Sequence, residues 1–331
     1  MTAPRPPQPA RQRGAALLAA MLTVTLVATF ASAALWQQWR SVEVETAERA
    51  RTQSSWVLTG ALDWARLILR EDARAGTIDH LGEPWAVPLQ EARLSTFLAA
   101  DTNNNAATDS DAENVFLSGN IIDQQSFLNV ANLVEAGKIS EGDLRAFARL
   151  FELLSLPPAE LDKLAENLRR AEEIATDNPG ASQAPLPPQR VEQLAWLGLS
   201  EATVAALRPY VTVLPERRPI NINTAGAEVI YAAVGGISMS QAQRLVAERE
   251  RDPFRDLGAA RRLLALTDSF QANSQMGMGS TFFEVRGRIR LGDSVLEERS
   301  LVRRNGAEVK TVSRERGVVD PAAFARATPA R

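Results

Sequence analysis

Cysteine is absent from all 331 residues, and histidine occurs once, at His80. Without thiols the chain has neither disulfides nor thiolate metal ligands, so its stability has to come from packing. A lone histidine leaves no second imidazole or thiol to complete a zinc site or a Cys-His pair. The sequence holds no phosphate-cradling glycine loop and no G-x-S-x-G elbow. The carboxylate pairs Glu172-Glu173 and Glu297-Glu298 are adjacent, so on a helix or a strand they diverge instead of flanking a substrate. These absences argue against an enzyme. A basic excess is missing as well: 37 Lys and Arg against 40 Asp and Glu leave a net charge of -3, so no nucleic-acid partner is expected.

What is present is globular in composition, 45% hydrophobic and 23% charged over a length that accommodates two domains. The organising stretch is N-terminal. No charged residue occurs from Ala15 to Trp39, and about 20 apolar residues suffice to cross a ~30 Å hydrocarbon core. Arg5, Arg11 and Arg13 precede the run without an acidic residue. The positive-inside rule then keeps the short N-terminus in the cytoplasm and sends the rest across, a single-pass topology. Trp36 and Trp39 fall where aromatic side chains anchor at an interface.

Three readings of this stretch differ in what survives maturation. Ala31-Ser32-Ala33 supplies a small-x-small site, and cleavage after Ala33 would release a soluble periplasmic protein. A plain anchor would stay uncut. The third reading rests on Gly14, which ends a short basic leader over 1–14 and stands directly before the apolar run. That arrangement resembles the signal of type IV pilins and pseudopilins, in which a prepilin peptidase cuts after the glycine and the apolar segment is retained. Gly14 and Ala15 would then be the processing site, with Ala15 carrying the new, N-methylated terminus.

Residues 40 to 72 contain no Pro and one Gly, so the helix is expected to continue to about Asp72. Val57, Ala61, Trp64 and Ile68 mark its buried face. The domain boundaries expected are 15–39 in the membrane, 40–122 for the rest of the helix and the first strands, and 123–275 for an inserted all-α block. Closing antiparallel strands follow at 276–318, then a tail at 319–331. Early strands are read at 92–98 and 115–122. Between them Asp101, Asn103 and Asn105 match the first ligand positions of a calcium loop, although Ala106 and Ala112 stand where glycine and the last ligand are required. Calcium is therefore a weak candidate cofactor, and no other cofactor is indicated.

In the helical block Phe127, Val130 and Val134, then Leu144, Phe147, Phe151 and Leu154, then Leu161, Leu164 and Leu168 space as buried faces. Residues 176–190 form a Pro-rich connector. Residues 218–257 read as a helix-hairpin-helix unit turning at Gly235-Gly236. Such units can bind DNA phosphates, so a membrane-tethered DNA-binding protein is the alternative function. The hairpin 235–239 has no basic residue, which favours packing. Three strands near 281–291, 294–303 and 307–314 should form a meander, with Gly292-Asp293 and Asn305-Gly306 as turns.

The order of these parts resembles the protein K family of type II secretion, the general secretion pathway's minor pseudopilins. The residues that carry the resemblance are Pro219-Ile-Asn-Ile-Asn-Thr-Ala225, Glu83-Pro84-Trp85, and Phe127-Leu-Asn-Val-Ala-Asn-Leu133 with Gly137-Lys138. The resemblance implies an α+β fold, a pilin-like long helix packed on a small antiparallel sheet with a large helical insertion. It also implies assembly with other minor pseudopilins of the I, J and H types at the tip of the periplasmic filament that drives export across the outer membrane. Ala19, Leu22 and Leu26 would face partner helices in the membrane. Two departures stand out. Most pilin-like proteins carry a glutamate at the fifth mature position, here Ala19, and a subunit lacking it has no good way to sit below another. The family's acidic Trp-x-Asp-x-Asp stretch is replaced by Ala165-Glu-Asn-Leu-Arg-Arg-Ala-Glu-Glu-Ile-Ala-Thr-Asp177, which puts calcium binding in doubt.

Overall fold

A computed structural model of the chain describes residues 13–99, 115–173, 184–264, 275–291 and 294–319. Helix α1 runs unbroken through Arg13–Ala75, 63 residues. Nothing in its sequence interrupts it, because it lacks proline and its polar half carries i,i+3 and i,i+4 ion pairs such as Arg49 with Glu45 and Arg66 with Asp63. The chain falls into two compact units, one up to Val57 and one from Leu58 onward.

In the first unit the apolar side chains of α1 are exposed along their whole length, among them Leu18, Leu22, Val24, Phe30, Trp36 and Trp39. Its hydroxyls turn inward. Thr23, Thr25, Thr29 and Ser32 donate to carbonyls three or four residues earlier at 2.8 to 3.0 Å. That leaves a surface with apolar atoms outermost, as a helix in hydrocarbon requires.

The second unit begins with the end of α1, which buries Leu58, Leu62, Ala65 and Leu69. This stripe lies one residue beyond the expected Val57, Ala61, Trp64 and Ile68, and Trp64 is half exposed at 51%. Both registers are apolar in sequence; the sheet takes the one with three leucines, which fill the space against it without a bulky ring.

That sheet has five antiparallel strands in chain order, β1 Leu89–Arg93, β2 Val115–Asp123, β3 Phe282–Leu291, β4 Ser294–Asn305 and β5 Glu308–Val319. The early strand expected at 92–98 is instead β1 followed by a short helix α2, Leu94–Ala99; Leu94 and Leu98 are four apart, a spacing that serves a helix as well as an alternation. Of the three closing strands, β3 ends at Leu291 as expected, while β4 and β5 extend past their expected ends, to Asn305 and Val319. Between α1 and the sheet sits a core of Leu62, Ala65, Leu69, Trp85, Phe283, Val285, Val302 and Val309. Trp85 meets Phe283 edge to face at 5.2 Å. Where β2 and β3 pair, Gly119 opposes Gly287, and a Cβ on Gly119 would lie 2.6 Å from the Arg286 carbonyl oxygen.

β2 and β3 are neighbours, with Asp123 opposite Phe283, yet more than 150 residues of chain separate them. That chain is the helical block: α3 Glu141–Leu153, α4 Pro158–Glu173, α5 Glu201–Leu207, α6 Ala227–Ala233, α7 Met239–Arg249 and α8 Leu257–Leu264. It has its own core, in which Phe147, Leu150, Phe151, Leu164, Leu194, Leu207, Ile222, Ile230 and Leu245 are buried. Short two-residue bridges interrupt the helices, Leu128–Asn129 with Val211–Thr212, Val134–Glu135 with Lys138–Ile139, and Ile220–Asn221 with Met276–Gly277. The second of these turns at Ala136 and Gly137, both with positive φ.

Candidate functional site

The three motifs singled out in the sequence meet where the helical block leaves and rejoins the sheet. In 219–225, Ile220 and Ile222 point into the helical core while Asn221 and Asn223 are buried as connectors. The backbone is fixed by Ile220 N–H donating to Gln275 O and Ile222 N–H to Gly277 O, both at 2.9 Å. Asn223 binds the backbone of Phe254 both ways, accepting its N–H at 2.9 Å and donating to its carbonyl at 3.0 Å. Arg249 of α7 closes the turn from below, donating to the carbonyls of Ile222 (2.6 Å) and Ala225. Burial lowers the Arg249 guanidinium to about 10, so it stays charged at neutral pH.

On the sheet side Asn221 Nδ2 reaches Asp79 O (3.0 Å), Ser280 Oγ (3.0 Å) and Asp123 Oδ2 (3.2 Å). Asp123, the last residue of β2, accepts from Thr224 Oγ1 at 2.5 Å, Ser280 Oγ at 2.6 Å and Gln125 N–H at 2.8 Å. Burial pushes its carboxyl up to about 6 against those hydrogen bonds. Arg304 of β4 donates to Asp72 Oδ2 (2.6 Å), to Asp79 and to Ser280 O (2.9 Å), while its guanidinium lies 4.7 Å from the Phe283 ring centre. Burial, then Glu83, raise Asp72 to about 6 even with Arg304 beside it.

The other two motifs serve the same joint. Glu83 accepts from His80 N–H at 2.9 Å and Trp85 Nε1 at 2.7 Å, which aims Trp85 into the sheet core. Asn129 donates to Glu216 O at 2.9 Å and Asn132 to Arg218 O at 2.8 Å, holding the strand-like run that leads into Pro219. Asn and Glu side chains here do the work of backbone where helix and sheet ladders stop.

Oxygens of Asp72, Asp79 and Glu83 lie within 4.8 Å of one another, the arrangement a cation could use. Arg304 already binds the first two and Glu83 is engaged by His80 and Trp85, so the positive charge at this place is the chain's own. The calcium candidates Asp101, Asn103 and Asn105 lie outside the described residues. Of the membrane candidates, Ala15, Ala19, Leu22 and Leu26 are exposed on α1, and Gly14 lies in its first turn.

The hairpin between α6 and α7 is built for packing. Arg149 of α3 donates to the carbonyls of Ala232 (2.8 Å) and Ala233 (3.3 Å), capping α6 as a cation at a helix C-terminus does. Ser238 and Gln241 form a capping box on α7, and Ile237, just before Ser238, is buried.

Sequence reasoning missed Asp79, Asp123, Ser280 and Arg304. Arg304 follows Arg303 in an alternating strand, and only the pairing register tells which of the two turns inward. Asp123 had one local signal, an acid ending an apolar strand, which also fits an exposed cap.

Two family models described as type II secretion system protein K match this chain, over residues 126–216 and 220–277. The chain is 27% identical over 330 residues to type II secretion system protein K of Pseudomonas aeruginosa, covering 92% of this chain and 93% of that one. It is 28% identical over 343 residues to the protein of that name from Pectobacterium carotovorum subsp. carotovorum, covering 93% and 97%. Its fold is similar to a chain in the crystal structure of the GspK-GspI-GspJ complex of the enterotoxigenic Escherichia coli type 2 secretion system, with a TM-score of 0.63 at 18% identity over 82% of this chain and 98% of that one.

Proposed function

We propose that this chain, which belongs to the type II secretion system protein K family and is a minor pseudopilin, starts or caps the tip of the pseudopilus. The observation that carries the reading is α1: one unbroken helix whose apolar, uncharged run from Ala15 to Trp39 is exposed, followed by a polar continuation that ends in a folded head. A helix of that kind is both a single-pass anchor and a surface for neighbouring helices. In this reading a prepilin peptidase cuts between Gly14 and Ala15 on the cytoplasmic side of the inner membrane. The mature helix then packs against other minor pseudopilins through Ala19, Leu22 and Leu26. A relative in structure is found with GspI and GspJ, which supports I- and J-type subunits as the first partners.

Ala19 supports a tip position, since an uncharged residue there cannot neutralise the amino terminus of a subunit stacked above it, and the topmost subunit has none above. The helical block adds bulk that a further subunit would have to accommodate. The chain's work is assembly, and no catalytic step is assigned to it. Sequencing the N-terminus of the protein taken from membranes of secreting cells tests the reading: it should begin at Ala15. A terminus at Ala34 would mean release by signal peptidase and would remove the anchor on which the proposal stands.

A further inference from the structure

Asp123 is buried where the helical block departs from β2, and among the described residues every partner of its carboxylate is neutral. Oδ1 takes the Gln125 N–H, and Oδ2 is met by Thr224 Oγ1, Ser280 Oγ and Asn221 Nδ2. The charged groups around it do not offset its charge. From the turn after α1 it is faced by Asp79, which is held by Arg304 of β4. Asp72 of α1 shares that guanidinium, and Glu83 has His80 Nε2 at 3.8 Å. From 220–225 and 280–283 come only amides and hydroxyls, and Arg249 turns its terminal nitrogens to the backbone carbonyls of Ile222, Thr224 and Ala225. Among the described residues these four carboxylates thus share one guanidinium, that of Arg304.

The same hydroxyls let the site hold a proton with nothing left unsatisfied. Thr224 Oγ1 also lies 3.4 Å from Asn221 O. Turning its O–H onto that carbonyl frees its lone pair for a carboxylic O–H on Asp123 Oδ2. We propose that Asp123 is a proton-uptake site which tightens the joint between helical block and sheet as the surroundings acidify. Burial raises the folded-state value to about 6 from an ordinary 3.8, so the folded chain binds the proton more readily than the unfolded one. Stability therefore grows as pH falls through about 6, and the gain is complete below the unfolded value. Asp72 is shifted the same way and adds to it.

Hydrogen exchange of the full-length protein in detergent, corrected for the intrinsic pH dependence of exchange, reads this at the segments holding Asp123, Asn221 and Ser280. Between about pH 7.5 and about pH 5.5, a site titrating near 6 should raise protection about fourfold. Asp123→Asn, neutral throughout, should lose that fourfold and keep only what Asp72 contributes. Flat protection in the natural protein, or an equal rise in Asp123→Asn, overturns the proposal. Should Asp123→Asn fail to fold, Ser280→Ala decides: it removes a donor to the carboxylate that takes no part in holding the proton, so the rise should move to higher pH, and a rise that stays in place overturns the proposal.

Discussion

Arg304 and its two aspartates are among the least exposed charges described in the molecule, with Arg304 at 8% and Asp79 at 2% side-chain exposure. Replacing Arg304 by alanine would leave both carboxylates buried without a cation, a change that costs about 3 to 5 kcal/mol for buried pairs. Denaturant unfolding should register that loss in the midpoint with little change in slope. Arg303, its neighbour, is half exposed and pairs with Glu216 at 3.3 Å on the surface; Arg303→Ala should cost about 1 kcal/mol or less. The contrast tests the pairing register directly. The adjacent carboxylates Glu297 and Glu298 show the same alternation: Glu297 binds Arg288 and Arg299, while Glu298 binds Arg314 and Arg316 on the other face of the sheet.

Among the elements, α1 shows how far a pattern can be read before packing decides. Its length was legible because proline and helix-breaking glycine pairs are missing from it, and its apolar run was legible because charge is missing too. Its buried face was not, since apolar residues occur at both Val57-Ala61-Trp64-Ile68 and Leu58-Leu62-Ala65-Leu69. Leu62→Ala should destabilise the head by about 2 to 5 kcal/mol, whereas Trp64→Ala should cost about 0.5 kcal/mol or less. Thermal unfolding of the two variants checks the assignment, and the opposite order would restore the first register. The closing strands were legible from alternation and from turn residues at Asn305-Gly306, a pair the structure uses with Gly306 at positive φ. The short bridges inside the helical block were not, because two-residue pairings such as Leu128–Asn129 with Val211–Thr212 leave no periodic signal.

At the scale of the whole molecule, the head holds two hydrophobic clusters, one under α1 and one inside the helical block, and the polar joint lies between the chains that serve them. The motifs of the joint stood out in the sequence, but their purpose did not: asparagine in Pro219–Ala225 reads equally as a helix cap, and only the fold brings Asn221 to Asp79, 142 residues away. If the joint couples the clusters, the natural head should lose hydrogen-exchange protection in both clusters at one denaturant concentration. The double variant Asn221→Ala with Ser280→Ala should separate the sheet's loss from the block's. Entry and exit of the block at neighbouring strands has a wider corollary. A segment spliced in at a single seam can be enlarged, trimmed or re-surfaced by mutation while strand order stays as it is, so the outline of the head can change without the sheet beneath α1 having to be reinvented.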